Sequence, residues 1–187
     1  MRSPYFFLVR PKNSRRYDNV KTIGDVDFIT SSSTEDHTVS NRFGIVAALP
    51  LAYAGEVRVG DTLLVHHNVF KFYYDMRGRE KSGQSFFKDD LFFIDDDQFF
   101  LYKRGDKWRS HGKYCFIKPI PPGESVILKP LEEEPLVGTV RYINQELLDL
   151  GVKEGDRVSF QPESEYPFEV EGEKLYRMFT QNITLIL

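Results

Sequence analysis

Apolar positions along the chain fall in short runs punctuated by Gly, Pro and polar clusters, the pattern of many short strands. Tyr5-Phe6-Phe7-Leu8-Val9 is apolar at every position and runs into Arg10-Pro11, which predicts a strand buried on both faces. From Lys12 to Arg42 the pattern stops, and the stretch is rich in Ser, Thr, Asp and Asn. Patternless segments of this length are uncommon in compact domains and are usually functional or disordered. An apolar knot lies inside it, Val26-Asp27-Phe28-Ile29. The knot has two readings: a short strand tucked onto the domain, or a docking motif on a mobile loop that folds when it binds. Strand-like runs resume at Gly44–Ala48, Leu63–Val65, Phe70–Tyr74, Leu91–Ile94 and Gln98–Tyr102. A polar hairpin tip, Asp75 to Gln84, interrupts them.

One stretch occurs twice: Val57-Arg58-Val59-Gly60-Asp61-Thr62-Leu63-Leu64-Val65 and Val152-Lys153-Glu154-Gly155-Asp156-Arg157-Val158-Ser159-Phe160. Gly suits a turn position with positive φ, and Asp bonds its own backbone nearby. The surroundings repeat in the same order. Phe7-Leu8-Val9-Arg10-Pro11 corresponds to Cys115-Phe116-Ile117-Lys118-Pro119, Gly44-Ile45-Val46 to Gly138-Thr139-Val140, and Gln98–Tyr102 to Asn182–Ile186. Such a repeat implies an internal duplication. The expected domains are residues 1–104, with the long loop at 12–42, and residues 113–187, joined by a polar linker at 105–112 that carries the only Trp, Trp108. In the second copy Leu147, Leu148 and Leu150 before Gly151 predict one helical turn with a Gly stop.

Charge narrows the function. The 187 residues carry a net charge of −3, which argues against a phosphate-backbone binder. Phe70-Lys71-Phe72-Tyr73-Tyr74 with Arg77 and Arg79 has some oligonucleotide-binding character, but Asp89, Asp90 and Asp95 would repel phosphate. The single cysteine, Cys115, sits in an apolar strand, where a buried inert thiol is expected. His66 and His67 adjoin on a predicted strand, which aims them to opposite faces and makes a poor chelate. Asp95-Asp96-Asp97 lacks the ligand spacing of a calcium loop and reads as a solvated turn. No phosphate-binding Gly loop, nucleophile elbow or zinc set is present, so the expectation is no enzyme, no cofactor and no metal. No signal-peptide pattern or membrane-length apolar run appears, which predicts a cytoplasmic, soluble protein.

The repeated order resembles the chaperonin-10 family, the GroES-like co-chaperonins, over nearly the whole chain twice. Phe116-Ile117-Lys118-Pro119, Gly138-Thr139-Val140, the Gly155-Asp156 turn and the closing Asn182-Ile183-Thr184-Leu185-Ile186 carry it most strongly. The resemblance implies an all-β fold of two tandem, small, partly open β-barrels. It also implies a mobile loop after each first strand whose apolar triplet docks on a large chaperonin ring. By position the docking residues would be Val26, Phe28 and Ile29 in the first copy and Val126, Ile127 and Leu128 in the second. ATP would be bound by the partner, and homo-oligomers would form through the terminal strands Tyr5–Val9 and Asn182–Leu187. The chain departs from the family in having Gly24-Asp25 before the first triplet and only Leu49–Glu56 where the roof hairpin stands. Such a short roof resembles the versions of some tailed phages. The alternative function is a non-catalytic interaction or phage structural module built on the same duplicated barrel.

Overall fold

A computed structural model describes residues 2–17, 20–23, 26–29, 40–121 and 133–187, with the backbone alone described at 20–23, 26–29 and 80. It divides into two compact units, Met1–Lys107 and Trp108–Leu187. The first contains β1 (Phe7–Pro11), β2 (Val20–Ile23), β3 (Val26–Ile29), β4 (Phe43–Ala48), β5 (Thr62–Val65), β6 (Phe72–Tyr74), β7 (Glu80–Ser82), β8 (Phe86–Lys88), β9 (Leu91–Ile94) and β10 (Phe99–Arg104). The division falls within β11 (Lys107–Ser110), so a strand with a buried Trp108 occupies the expected linker. The second unit contains β12 (Tyr114–Pro119), β13 (Val137–Tyr142), α1 (Gln145–Asp149), β14 (Arg157–Phe160), β15 (Tyr166–Val170), β16 (Glu173–Phe179) and β17 (Ile183–Ile186). The described chain is nearly all-β, and the pairings among β1–β10 and among β12–β17 are antiparallel.

The two main sheets share one order over six strands, and the first carries β11 as a seventh beside β10. In the first unit neighbouring strands run β10-β5-β4-β1-β9-β8; in the second they run β17-β14-β13-β12-β16-β15. The register repeats as well. Val9 faces Val46 and Pro11 faces Gly44, as Ile117 faces Val140 and Pro119 faces Gly138. A bulge interrupts the first pairing between Leu8 and Val9 and the second between Phe116 and Ile117, the same position in each copy. Each sheet has two ends among the described residues and does not close into a barrel. The cores follow from inward alternation. Phe7, Val9, Val46, Leu63, Phe70 and Phe92 are fully buried in the first unit; Cys115, Ile117, Val140, Val158 and Met178 are buried in the second.

The Gly-Asp turns explain why the repeat is recognisable. Gly60 has φ +92 and Gly155 φ +93, the left-handed region that glycine enters without a Cβ penalty. Gly60 N donates to Val46 O at 2.9 Å, and Gly155 N donates to Val140 O at 2.8 Å. Each aspartate closes its turn: Arg58 N donates to Asp61 Oδ2 at 2.8 Å and Lys153 N to Asp156 Oδ2 at 2.8 Å. The first turn adds a bridge from Arg104, whose Nη2 lies 2.9 Å from Asp61 Oδ2, and Asp61 is only 6% exposed. Loss of the turn bond alone is worth about 0.5–1.5 kcal/mol in either unit. Asp61→Ala is therefore expected to cost more than Asp156→Ala, because it also removes the ion pair with Arg104 and leaves that guanidinium only its bond to Glu56 O. Urea unfolding of the two variants checks the order.

Differences between the copies are local. The extra length of the first is the β6–β7 hairpin, whose tip is organised by Asp75: its carboxylate accepts from Arg77 N at 2.8 Å and Arg79 N at 3.0 Å. In the second, Asn144 caps α1 by accepting from Leu147 N at 3.0 Å, and Gly151 at φ +88 ends it. No helix among the described residues is long and apolar enough to cross a membrane.

Candidate functional site

The segments expected to carry docking motifs leave the two sheets at one equivalent place, between β1 and β4 and between β12 and β13. Val26, Phe28 and Ile29 lie on β3, which forms a two-stranded sheet with β2: Val26 faces Ile23, Phe28 faces Lys21 and Ile29 faces Val20. Val126, Ile127 and Leu128 lie outside the described residues.

The root of the first segment is built by Arg16, Tyr17 and Asn41. Asn41, 2% exposed, donates through Nδ2 to Lys12 O at 3.0 Å and Arg15 O at 2.7 Å, and its own N donates to Arg16 O at 2.9 Å. Tyr17 bridges to Ser40, so the two ends of the segment are drawn together. Arg16 then ties the root to the insertion hairpin. Its guanidinium lies 3.3 Å from the Phe72 ring centroid and 4.9 Å from that of Phe92. Nε donates to Phe70 O at 2.9 Å, and Nη1 donates to Ser82 Oγ at 3.1 Å. Phe72 N donates to Tyr17 Oη at 2.7 Å, and the two rings stack 5.8 Å apart. A delocalised cation over aromatic faces, with its N–H groups met by carbonyl and hydroxyl oxygens, makes a firm joint.

The second root is held by charge. Lys174 Nζ lies 2.7 Å from Glu133 Oε1, and the Tyr176 hydroxyl donates to Glu133 Oε2. Arg157 pairs with Glu134, whose N donates to Ile120 O at 3.0 Å. Partial burial raises the Glu133 carboxyl, but the bonds from Lys174 and Tyr176 outweigh it and leave the group below the ordinary carboxylate value. Nearby, bonds from Lys118 and Arg141 hold Glu173 low as well.

The remaining candidate groups take simple places. Cys115 is fully buried, and burial pushes its thiol up to about 12. The shift keeps the thiol neutral in the folded chain. Its contribution to stability is whole below the unfolded value near 9.0 and is lost as pH rises towards 12. Native protein at pH 8 is therefore expected to leave a thiol reagent unreacted, and unfolded protein to react fully; rapid native labelling would contradict this burial. The strand carrying the expected histidine pair ends at Val65, so His66 and His67 sit in the following turn with ring centroids 4.1 Å apart rather than on opposite faces. Among the described residues no group of three or more His, Cys, Asp or Glu could hold a metal ion.

Sequence reasoning missed Arg16 and Tyr17. Their partners Phe70, Phe72 and Ser82 lie far along the chain, and no local pattern links them. Glu133 and its partners Lys174 and Tyr176 are likewise far apart in the chain.

Fold and site together define an all-β chain of two like sheets, each with a segment rooted between equivalent strands. No protein-family model matches the sequence, and no curated protein matches it with significance.

Proposed function

We propose that the chain is a co-chaperonin-like adaptor that docks on a large chaperonin ring through the apolar motifs of its two rooted segments. The observation that carries this reading is the equivalence of the segments. Both leave between a strand ending in Pro and a strand opening near Gly, in matched register, and both contain an apolar motif. On this reading each sheet is the wall of a GroES-like, partly open barrel.

The mechanism is physical. An apolar motif folding onto a partner groove loses chain entropy on ordering, so a single contact is weak. Two segments rooted in one chain raise each other's effective concentration, and assembly of several chains raises it further. The clamped roots limit the length of chain that must be ordered. Nucleotide would be bound by the ring.

Assembly is supported by the end of the second sheet. β17 is its last strand, and Leu185, Ile186 and Leu187 are 61%, 57% and 60% exposed. An apolar edge strand is a template for pairing with another chain. The expected result in analytical ultracentrifugation is an oligomer that co-sediments with a chaperonin ring. A strict monomer at high concentration that ignores the ring would contradict the proposal and favour a simple interaction module.

A further inference from the structure

A cavity of about 930 Å³ opens at one end of the first unit, walled in part by Phe6, Ser85, Phe93, Asp95, Asp97 and Gln98. The second unit shows how the same place looks when it is filled. Phe7 faces Ile94 as Cys115 faces Met178, and Leu8 faces Phe93 as Phe116 faces Arg177. This register equates Phe6 with Tyr114, Phe93 with Arg177 and Asp95 with Phe179. Ser85, whose carbonyl accepts from Phe93 N at 2.6 Å, corresponds to Tyr166, which faces Arg177.

In the second unit the Arg177 guanidinium occupies this place. It lies 5.1 Å from the Tyr114 ring centroid, 4.9 Å from that of Tyr166 and 6.0 Å from that of Phe179. Tyr114 and Phe179 themselves stack 5.1 Å apart. The first unit keeps an aromatic wall, since Phe6 packs 5.9 Å from Phe93 and remains 40% exposed. It has lost the tyrosine ring to Ser85 and the internal guanidinium to Phe93. In exchange it has gained carboxylates: Asp95 and Asp97 are exposed, and neither side chain forms an ion pair or hydrogen bond with a described residue. Among the described residues Lys71 is the only lysine or arginine lining the cavity, with His66 beside it, so fixed negative charge predominates there.

We propose that this cavity receives an arginine side chain from a partner protein, with its plane on Phe6 and Phe93 and its charge met by Asp95 and Asp97. A guanidinium satisfies both halves of the lining: it stacks on rings as a plane and pairs with carboxylates as a fork. An ammonium has the charge without the plane, and citrulline has the plane without the charge. The inference stands on the comparison of the two units and does not rest on chaperonin docking.

The test is an NMR titration of the full chain with acetyl-Gly-Arg-Gly-amide, repeated with the lysine and citrulline counterparts. The arginine peptide is expected to give saturable shifts at Phe6, Ser85, Phe93 and Asp95. The citrulline peptide should bind at least about tenfold more weakly, with lysine in between. Combining Asp95→Asn with Asp97→Asn should weaken the arginine peptide about tenfold while sheet amide shifts stay in place. Ser85→Tyr, which restores the ring that closes the second unit, should abolish binding. Both aspartates are exposed turn residues, so the double asparagine variant decides the matter even if Ser85→Tyr misfolds. No saturable shift at these residues in the wild type, equal binding of arginine and citrulline peptides, or undiminished binding by the double variant would overturn the proposal.

Discussion

Gly138→Ala is expected to destabilise the second unit by roughly 3 kcal/mol, the upper part of the range for overpacking a fitted site. A Cβ at Gly138 would stand 2.3 Å from Ile117 Cγ2 and 2.8 Å from Lys118 O. Neither neighbour can step aside cheaply. Ile117 is fully buried and β-branched, hence stiff at χ1, and Lys118 belongs to the strand that pairs with Thr139 and Gly138 through its successor Pro119. For a unit of this size each kcal/mol shifts the melting temperature by roughly 4–8 °C, so a drop of about 12–24 °C is expected. For the equivalent substitution Gly44→Ala the tightest contact is Phe70 Cζ at 3.2 Å, the far end of a ring, with Val9 Cβ at 3.5 Å and Arg10 O at 3.6 Å in ordinary contact, and it should cost about 1 kcal/mol or less. Calorimetry on the two variants separates them; equal shifts would contradict the close strand crossing in the second unit.

That pair of glycines also marks how far the sequence could be read. Gly44 and Gly138 occupy matched positions in the repeat, and the structure puts both opposite a proline in the same register. Which of them is sterically indispensable depends on what crosses above: the rigid Cγ2 of Ile117 in one unit, the more distant Val9 Cβ and a ring tip in the other. A repeat in one dimension carries no such information. The same limit applies elsewhere. The polar tip after Tyr74, the turn of helix before Gly151 and the closing strand were legible because each rests on neighbouring residues. Arg16 in its aromatic joint, and the replacement of Tyr166 by Ser85 that leaves a cavity, depend on residues brought together only by the fold. The polar composition of 105–112 hid β11, whose alternation buries Trp108 between exposed Lys107 and Arg109.

Phe28→Ser carries the largest expected effect on function. Burying a phenylalanine side chain in a partner groove is worth roughly 1.5–3 kcal/mol, so each docked segment should lose about tenfold or more in affinity. Because several segments act together, the loss for the assembled protein should be much greater. Phe28 lies on β3, whose pairing in the main chain is with β2 and not with the seven-stranded sheet that contains β1 and β4. Its replacement should therefore leave the melting temperature of the first unit unchanged. If the motif instead formed part of the core, a buried Phe truncation would cost about 3–5 kcal/mol and the unit would melt far earlier.

The most direct measurement is equilibrium binding of wild type and Phe28→Ser to an immobilised large chaperonin ring with nucleotide present, with a thermal melt recorded on the same samples. Wild type is expected to bind, the variant to bind at least about tenfold more weakly, and the two to melt together. A wild type that binds no ring, a variant that binds as well as wild type, or a variant whose melt collapses would contradict docking through Phe28.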